Sequence, residues 1–208
     1  MATHGRPVLR DLFDESPTPH IAHPPHSHHR DYYVATDGSF RERGGGLGVV
    51  IEAYDGSRVT RLSVPDSPPD NNVAEYRALH LGLDVLAEHV SADATVGILV
   101  DHDQLAENVN SMTLAINRPD YEFTHSVTVP QITENHWRGI QARIAGFDNI
   151  RAARIRSDHN PAHPLANRPD QYGHVNRELP QRSTNPETEN TPEGVPPPSR
   201  SKRPPASD

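Results

Sequence analysis

The sequence predicts an α/β fold: a mixed five-stranded sheet, an antiparallel meander followed by parallel strands, flanked by helices. Three observations lead there. Between residues 31 and 64, three β-rich runs are separated only by glycine-containing turns. Past residue 70 the apolar period changes from 2 to 3.6, and two further short apolar runs then alternate with helical segments. Runs linked by tight turns pair antiparallel, whereas strands joined through helices return in parallel.

Each element has its own signal. Residues 1–30 read as a disordered His/Pro-rich arm. Its His20–His29 tract could bind metal loosely, but with no second ligand cluster to fix a geometry, filler is the simpler reading. Tyr32-Tyr-Val-Ala-Thr36 is the first strand and leads into Asp37-Gly38-Ser39. After the glycine-rich turn Arg41–Gly46, Leu47–Tyr54 and Arg58–Val64 form a hairpin about Asp55-Gly56. Asn71-Asn72 opens a helix whose apolar positions Val73, Ala74, Leu79, Leu83 and Leu86 keep the helical period. Thr95–Val100 is apolar throughout, the pattern of a strand covered on both faces. Leu105, Ala106 and Val109 mark a second helix, Asn135–Ala145 a third, Ile150–Ile155 the fifth strand and Pro161–Asn167 a last helical stretch. The folded domain is therefore expected over 31–167, with 168–208 a disordered Pro-rich tail.

Composition narrows the function. The 208 residues include 21 Pro, and at 33% hydrophobic residues the whole chain is too polar to fold throughout. Without Cys there is no disulfide framework and no Cys-based zinc site. No signal peptide and no run of membrane-span length is visible, so a soluble cytoplasmic protein is the default expectation; a monomer is expected. The net charge is -8, and Lys202 is the one lysine. That balance is awkward for a nucleic-acid binder, because phosphate neutralisation drives such binding. A high-salt cytoplasm reconciles the two, since counterion release contributes little there and an acidic surface keeps proteins soluble; a genome that favours Arg codons is the plainer explanation.

Three carboxylates stand at positions where chemistry could sit. Asp37 follows the apolar part of the first strand, Asp101 ends the fourth, and Glu75 lies in the first turn of the intervening helix. Singly, each has an ordinary reading: a turn aspartate, a helix cap, and the far end of an Asn72-Val-Ala-Glu75 capping box. The predicted sheet brings all three together. Converging carboxylates repel one another unless a cation lies between them. Hard oxygen donors suit Mg²⁺ or Mn²⁺, and two such ions about 4 Å apart activate water and stabilise a phosphodiester's leaving oxygen.

The motifs around these residues resemble those of type 1 ribonucleases H, with an archaeal or haloarchaeal cast. Tyr33-Val-Ala-Thr-Asp-Gly-Ser39 with Leu47-Gly-Val-Val-Ile51 resembles their first hairpin. Asn71-Asn-Val-Ala-Glu-Tyr-Arg-Ala-Leu-His-Leu-Gly-Leu83 is similar to their second motif, and Ile98-Leu-Val-Asp-His-Asp-Gln-Leu105 to their third. Residues 156–167 are similar to the closing motif, with His163 where the family has an aspartate and Asn160 at a shifted position. The resemblance implies cleavage of the RNA strand of an RNA/DNA hybrid by two divalent ions. It places Asp37, Glu75, Asp101 and His163 as ligands, and Gly38, Ser39, Asn71 and Asn72 as substrate contacts. Choosing Asp101 over Asp103 keeps the family's apolar spacing; should His163 be a surface residue, the centre would rest on three carboxylates or on a nearby substitute such as Asp158. From Ser111 to Trp137, Arg118 is the one Lys or Arg, so modest hybrid affinity is expected. A 3′ exonuclease of related fold would need Asp-x-Glu where Asp37-Gly-Ser39 stands. The other alternative is a non-catalytic hybrid-binding or interaction module.

Overall fold

A computed structural model describes residues 6–21, 29–42, 44–118, 120 and 127–178. Strands β1 (Tyr32–Ser39), β2 (Gly45–Ala53) and β3 (Arg58–Asp66) form the expected antiparallel meander. Its hairpin turns use Gly44 and Gly56 in the positive-φ region that side chains avoid. Helix α2 (Asn71–His89) leads to β4 (Thr95–Val100), which pairs in parallel with β1. Helices α3 (Asp103–Asn117) and α4 (Glu134–Gly146) precede β5 (Asn149–Arg154), parallel to β4. The sheet order is β3-β2-β1-β4-β5, so β1 is central, and β4, read from the sequence as covered on both faces, lies beside it between two parallel neighbours.

Two local expectations change. The first strand runs on to Ser39, so Asp37 is a strand residue paired with Gly48 and not a turn aspartate. Helix α2 is capped by Asp70, whose side chain accepts from Val73 N at 2.8 Å. The Asn72–Glu75 capping box is therefore not formed, and Glu75 is turned inward, 2% exposed.

The side chains of the sheet alternate between two apolar clusters. Val34, Val49, Ile51, Ile98 and Ala152 meet α2, α3 and α4 on one face. Tyr33, Ala35, Val50, Leu99 and Ala153 point to the other, where the sequence offered only the short closing helix. Part of what reads as an arm covers that second face. Helix α1 (Leu9–Asp14) buries Leu9 and Phe13, each 1% exposed, and Phe13 meets Tyr33 edge-on at 5.5 Å. Leu9 N also donates to Glu52 Oε2 at 2.7 Å. The opposite end extends as well. Beyond α5 (His163–Asn167) come α6 (Pro169–Tyr172) and a 3₁₀ turn, Gly173–Glu178, with Val175 buried. The Asn176 side chain accepts from Ser63 N and donates to Ser63 O, both at 2.8 Å, closing the free edge of β3. Ordered structure thus reaches past both the 31 and 167 boundaries, because a two-faced sheet needs a second cover. A six-residue helix is too short to announce itself by periodicity. Most of the His20–His29 tract lies outside the described residues.

Since α1 fills the second face, Phe13→Ala should lower stability by about 3–5 kcal/mol. Chemical denaturation of parent and variant measures this; a loss below about 1 kcal/mol would show that α1 is only loosely attached.

Candidate metal centre

Parallel pairing of β1 with β4 aligns Ala35 with Leu99. Two residues further along each chain are Asp37 and Asp101, which therefore emerge side by side at one end of the sheet. Helix α2 starts directly over this end. A Cβ on Gly38 would lie 2.2 Å from the Ala74 carbonyl carbon and 2.4 Å from Glu75 N, so only glycine allows the approach. Helix α5 is seated similarly on β2: Cβ atoms at Gly46 and Gly48 would strike its backbone at Ala166 O and Ala162 O, at 2.6 and 2.3 Å. That seating brings His163 over Asp37, with Nδ1 3.3 Å from Asp37 Oδ1.

Donor atoms of Asp37, Asp101 and His163 all lie within 4.8 Å of one another. Glu75 adjoins this group, close enough for the Asp101 and Asp37 charges to act on its carboxyl. Among the described residues its Oε2 is buried without a hydrogen-bond partner. All four expected ligands are thus at one place, three around a common point and Glu75 adjoining it.

The electrostatics follow from burial. The Asp37 carboxyl is pushed up to about 7, first by desolvation and then by the Asp101 charge, with His163 pulling the other way. Glu75 is raised well above the ordinary carboxylate range by its burial, then by Asp101 and Asp37. Buried carboxylates this close hold protons unless a cation replaces them.

A ring of polar side chains orients the group. Ser157 Oγ donates to Asp101 Oδ2 at 2.5 Å. The Asn167 amide donates to His163 O at 3.0 Å and reaches Asp37 Oδ2 at 3.5 Å, while its Oδ1 accepts from Arg41 Nη2 at 3.0 Å. Asn160, 3% exposed, donates to Thr36 O and accepts from Ala162 N, tying the closing loop to β1. Of these, the sequence singles out Asn160 alone. Asn167 stands four residues after His163, a spacing that signals a shared helix face; Ser157 carries no such signal. The other two carboxylates considered have cationic partners: Asp103, set aside for Asp101, pairs with Arg154, and Asp158, the possible substitute, pairs with Arg156.

The expected substrate contacts separate into two kinds. Gly38 and Ser39 are internal. The Ser39 hydroxyl donates to Ala166 O at 2.7 Å and accepts from Gly46 N at 3.1 Å, so it clasps α5 to the sheet. Asn71 and Asn72 are exposed at the start of α2. His102 Nδ1 accepts from Leu105 N at 3.1 Å, which leaves Nε2–H to donate to Asn72 Oδ1 at 2.9 Å.

Sequence comparison finds no match, either to a family model or to a curated protein. Solved structures do match. RNase H1 from the halophilic archaeon Halobacterium salinarum NRC-1 is similar at 19% identity with a TM-score of 0.50, over 68% of this chain and 98% of that one. LC11-RNase H1, isolated from compost by a metagenomic approach, gives 22% identity and 0.52 over 72% and 99%. The same protein in complex with an RNA/DNA hybrid gives 21% and 0.51 over 71% and 99%. At these identities the shared property is the fold: this chain has the mixed five-stranded sheet and flanking helices of type 1 ribonucleases H.

The raised carboxyls make stability depend on pH and metal. Without divalent ions, the folded chain retains protons that the unfolded chain releases near pH 4, so this contribution fades as pH rises from about 4 through about 7. In chelator, Tm should fall more steeply over that window for the parent than for Asp37→Asn, and added Mn²⁺ should raise parental Tm more at pH 8 than at pH 5.5. Identical pH slopes in the two proteins would contradict the assignment.

Proposed function

We propose that this chain is a divalent-metal-dependent ribonuclease H that hydrolyses the RNA strand of an RNA/DNA hybrid. The observation that carries the reading is the group of Asp37, Asp101 and His163 donor atoms within 4.8 Å, with Glu75 beside it, its Oε2 buried and without a hydrogen-bond partner among the described residues. The solved LC11-RNase H1, of the same fold, has been captured with such a hybrid.

The donor set fits hard divalent ions. Three carboxylates supply hard oxygen donors, and Glu75 Oε2, buried without a hydrogen-bond partner among the described residues, wants a positive partner. Asp37, Asp101, Glu75 and His163 would hold two ions, Mg²⁺ or Mn²⁺, which supply an activated water and stabilisation of the departing oxygen. The protein's own contribution is orientation. Ser157 and Asn167 orient the Asp101 and Asp37 carboxylates, and Arg41 steadies Asn167 by donating to its Oδ1. His163 brings a nitrogen donor, which favours Mn²⁺ over Mg²⁺.

Selectivity for a hybrid comes from sugars. A hybrid displays 2′-hydroxyls in a wide, shallow minor groove. Asn71 and Asn72, both exposed at the start of α2, would supply polar contacts to them, and the Asn72 oxygen already accepts from His102. A groove of about 750 Å³ runs from Asn167 past Arg41 and Arg168, whose guanidinium groups would meet the flanking backbone, although Asp66 and Asp170 also line it. Two arginines are few, and with a net charge of -8 the enzyme fits a cytoplasm of high ionic strength, working as a monomer.

Cleavage of labelled hybrid, duplex RNA and duplex DNA in Mg²⁺ or Mn²⁺ tests the reading. The hybrid alone should be cut, within its RNA strand. Asp37→Asn should abolish cleavage while leaving hybrid binding and Tm in metal largely intact. Comparable cutting of duplex DNA would indicate another nuclease class, and hybrid binding without any cleavage would indicate a binding module.

His163 gives a second test. His163→Asp should shift preference toward Mg²⁺ and extend activity to lower pH, because an imidazole must be unprotonated to bind metal. His163→Ala should cause partial loss. If both variants keep the parental metal preference and pH profile, His163 is not a ligand.

A further inference from the structure

His80 on α2 faces His136 on α4, on elements that the carboxylate centre does not use for this purpose. Their Nδ1 atoms are 3.3 Å apart, with the rings inclined at 69° and centroids separated by 5.5 Å. One shared proton would make a hydrogen bond, but N–H donors sit about 2.7–3.2 Å from their acceptors, so 3.3 Å is long for one. Two imidazole nitrogens bound to one tetrahedral zinc ion, each about 2.0–2.1 Å from it, stand about 3.3–3.4 Å apart. The observed separation has that value.

The surroundings hold His80 in place for such a role. His80 Nε2 lies 3.4 Å from Asp84 Oδ2, and Asp84 Oδ1 accepts from Arg143 Nε at 2.7 Å. A carboxylate behind the outer ring nitrogen is the usual support of a metal-binding histidine, since it fixes the tautomer and strengthens the donor. Gly139 makes room: a Cβ there would lie 2.0 Å from His80 Nε2. The neighbouring charges are already matched, Arg77 by Asp66 and Arg143 by Asp84. His136 is biased toward the neutral, metal-competent form, by burial first and by His80 and Arg77 next, against Asp66.

We propose that His80 and His136 form a clamp for one imidazole-seeking divalent ion such as Zn²⁺, bridging α2 and α4 with water completing its shell. Two nitrogen donors without a hard oxygen set select zinc-like ions over Mg²⁺. The clamp is chemically distinct from the carboxylate centre and independent of the reading of that centre. Its effect is to tie α4 onto α2, because an ion that binds only the folded arrangement stabilises it.

Zinc titration of the full chain tests this, with Mg²⁺ present throughout. Histidine carbethoxylation by diethylpyrocarbonate is followed residue by residue with peptide mass spectrometry, which separates this pair from every other histidine. Zn²⁺ should slow modification of His80 and His136 several-fold, with a common half-saturation, whereas Mg²⁺ alone should leave both unchanged. The zinc-dependent rise in Tm should be smaller in His80→Gln and in His136→Gln than in the parent, and the double variant should lose no more than either single one. Unchanged reactivity of either histidine, or single variants that retain the full parental increment, would overturn the proposal.

Discussion

The site depends on a missing carbon atom. At Gly38 the central strand passes so close to the first turn of α2 that a Cβ would sit 2.2 Å from the Ala74 carbonyl carbon. That contact delivers Glu75 into the sheet end, where the Asp101 and Asp37 charges act on it. Any side chain at position 38 would lift the helix, and Glu75 would leave with it. The close approach also explains the electrostatics. Glu75 and Asp37 are each 2% exposed, so their charges are stripped of water and set against Asp101. An arrangement that raises both carboxyls costs the metal-free protein stability, which is the expected mark of a site organised around a cation.

Holding that arrangement takes both faces of the sheet. On one, Gly82 lets α2 lie flat on Val34 and Thr36, since a Cβ there would come within 2.9 Å of Thr36 Cγ2. On the other, α5 rests on Gly46 and Gly48 and is clasped by two hydroxyls, Ser39 to Ala166 O and Ser63 to Leu165 O, each at 2.7 Å. His163 therefore rides on a short helix whose position is fixed from below, although the residue itself is half-exposed. Buried networks of this kind tolerate little partial loss, because every unpaired group at the strand end would remain desolvated.

The layout was legible in the sequence wherever pattern and chemistry coincide. Period-2 runs, glycine turns and the apolar Thr95–Val100 segment place the strands, and a sheet so ordered forces Asp37, Glu75 and Asp101 together. The choice of Asp101 over Asp103 rests on apolar spacing in α3, and the structure turns Asp103 away to Arg154. Other features escape pattern. Leu9 and Phe13 lie in too short a helix to show a period, and without them the second face looks half-covered. Asp70 displaces Asn72 as the cap because backbone geometry, not residue type, selects among adjacent polar residues. Ser39 matches a substrate-contact position by motif, but the hydroxyl is consumed by α5, a contact between residues far apart in the chain. Ser157 reaches Asp101 for the same reason and is invisible to any local reading.

The most direct test of this account is a crystal of the Asp37→Asn chain and one of the parent, each grown with an RNA/DNA hybrid and Mn²⁺, with anomalous scattering recorded for both. The account predicts two manganese peaks in the parent among Asp37, Glu75, Asp101 and His163, beside a phosphate of the RNA strand, and weakening or loss of at least one in the variant. Manganese peaks elsewhere, or a hybrid bound away from this end of the sheet, would contradict it.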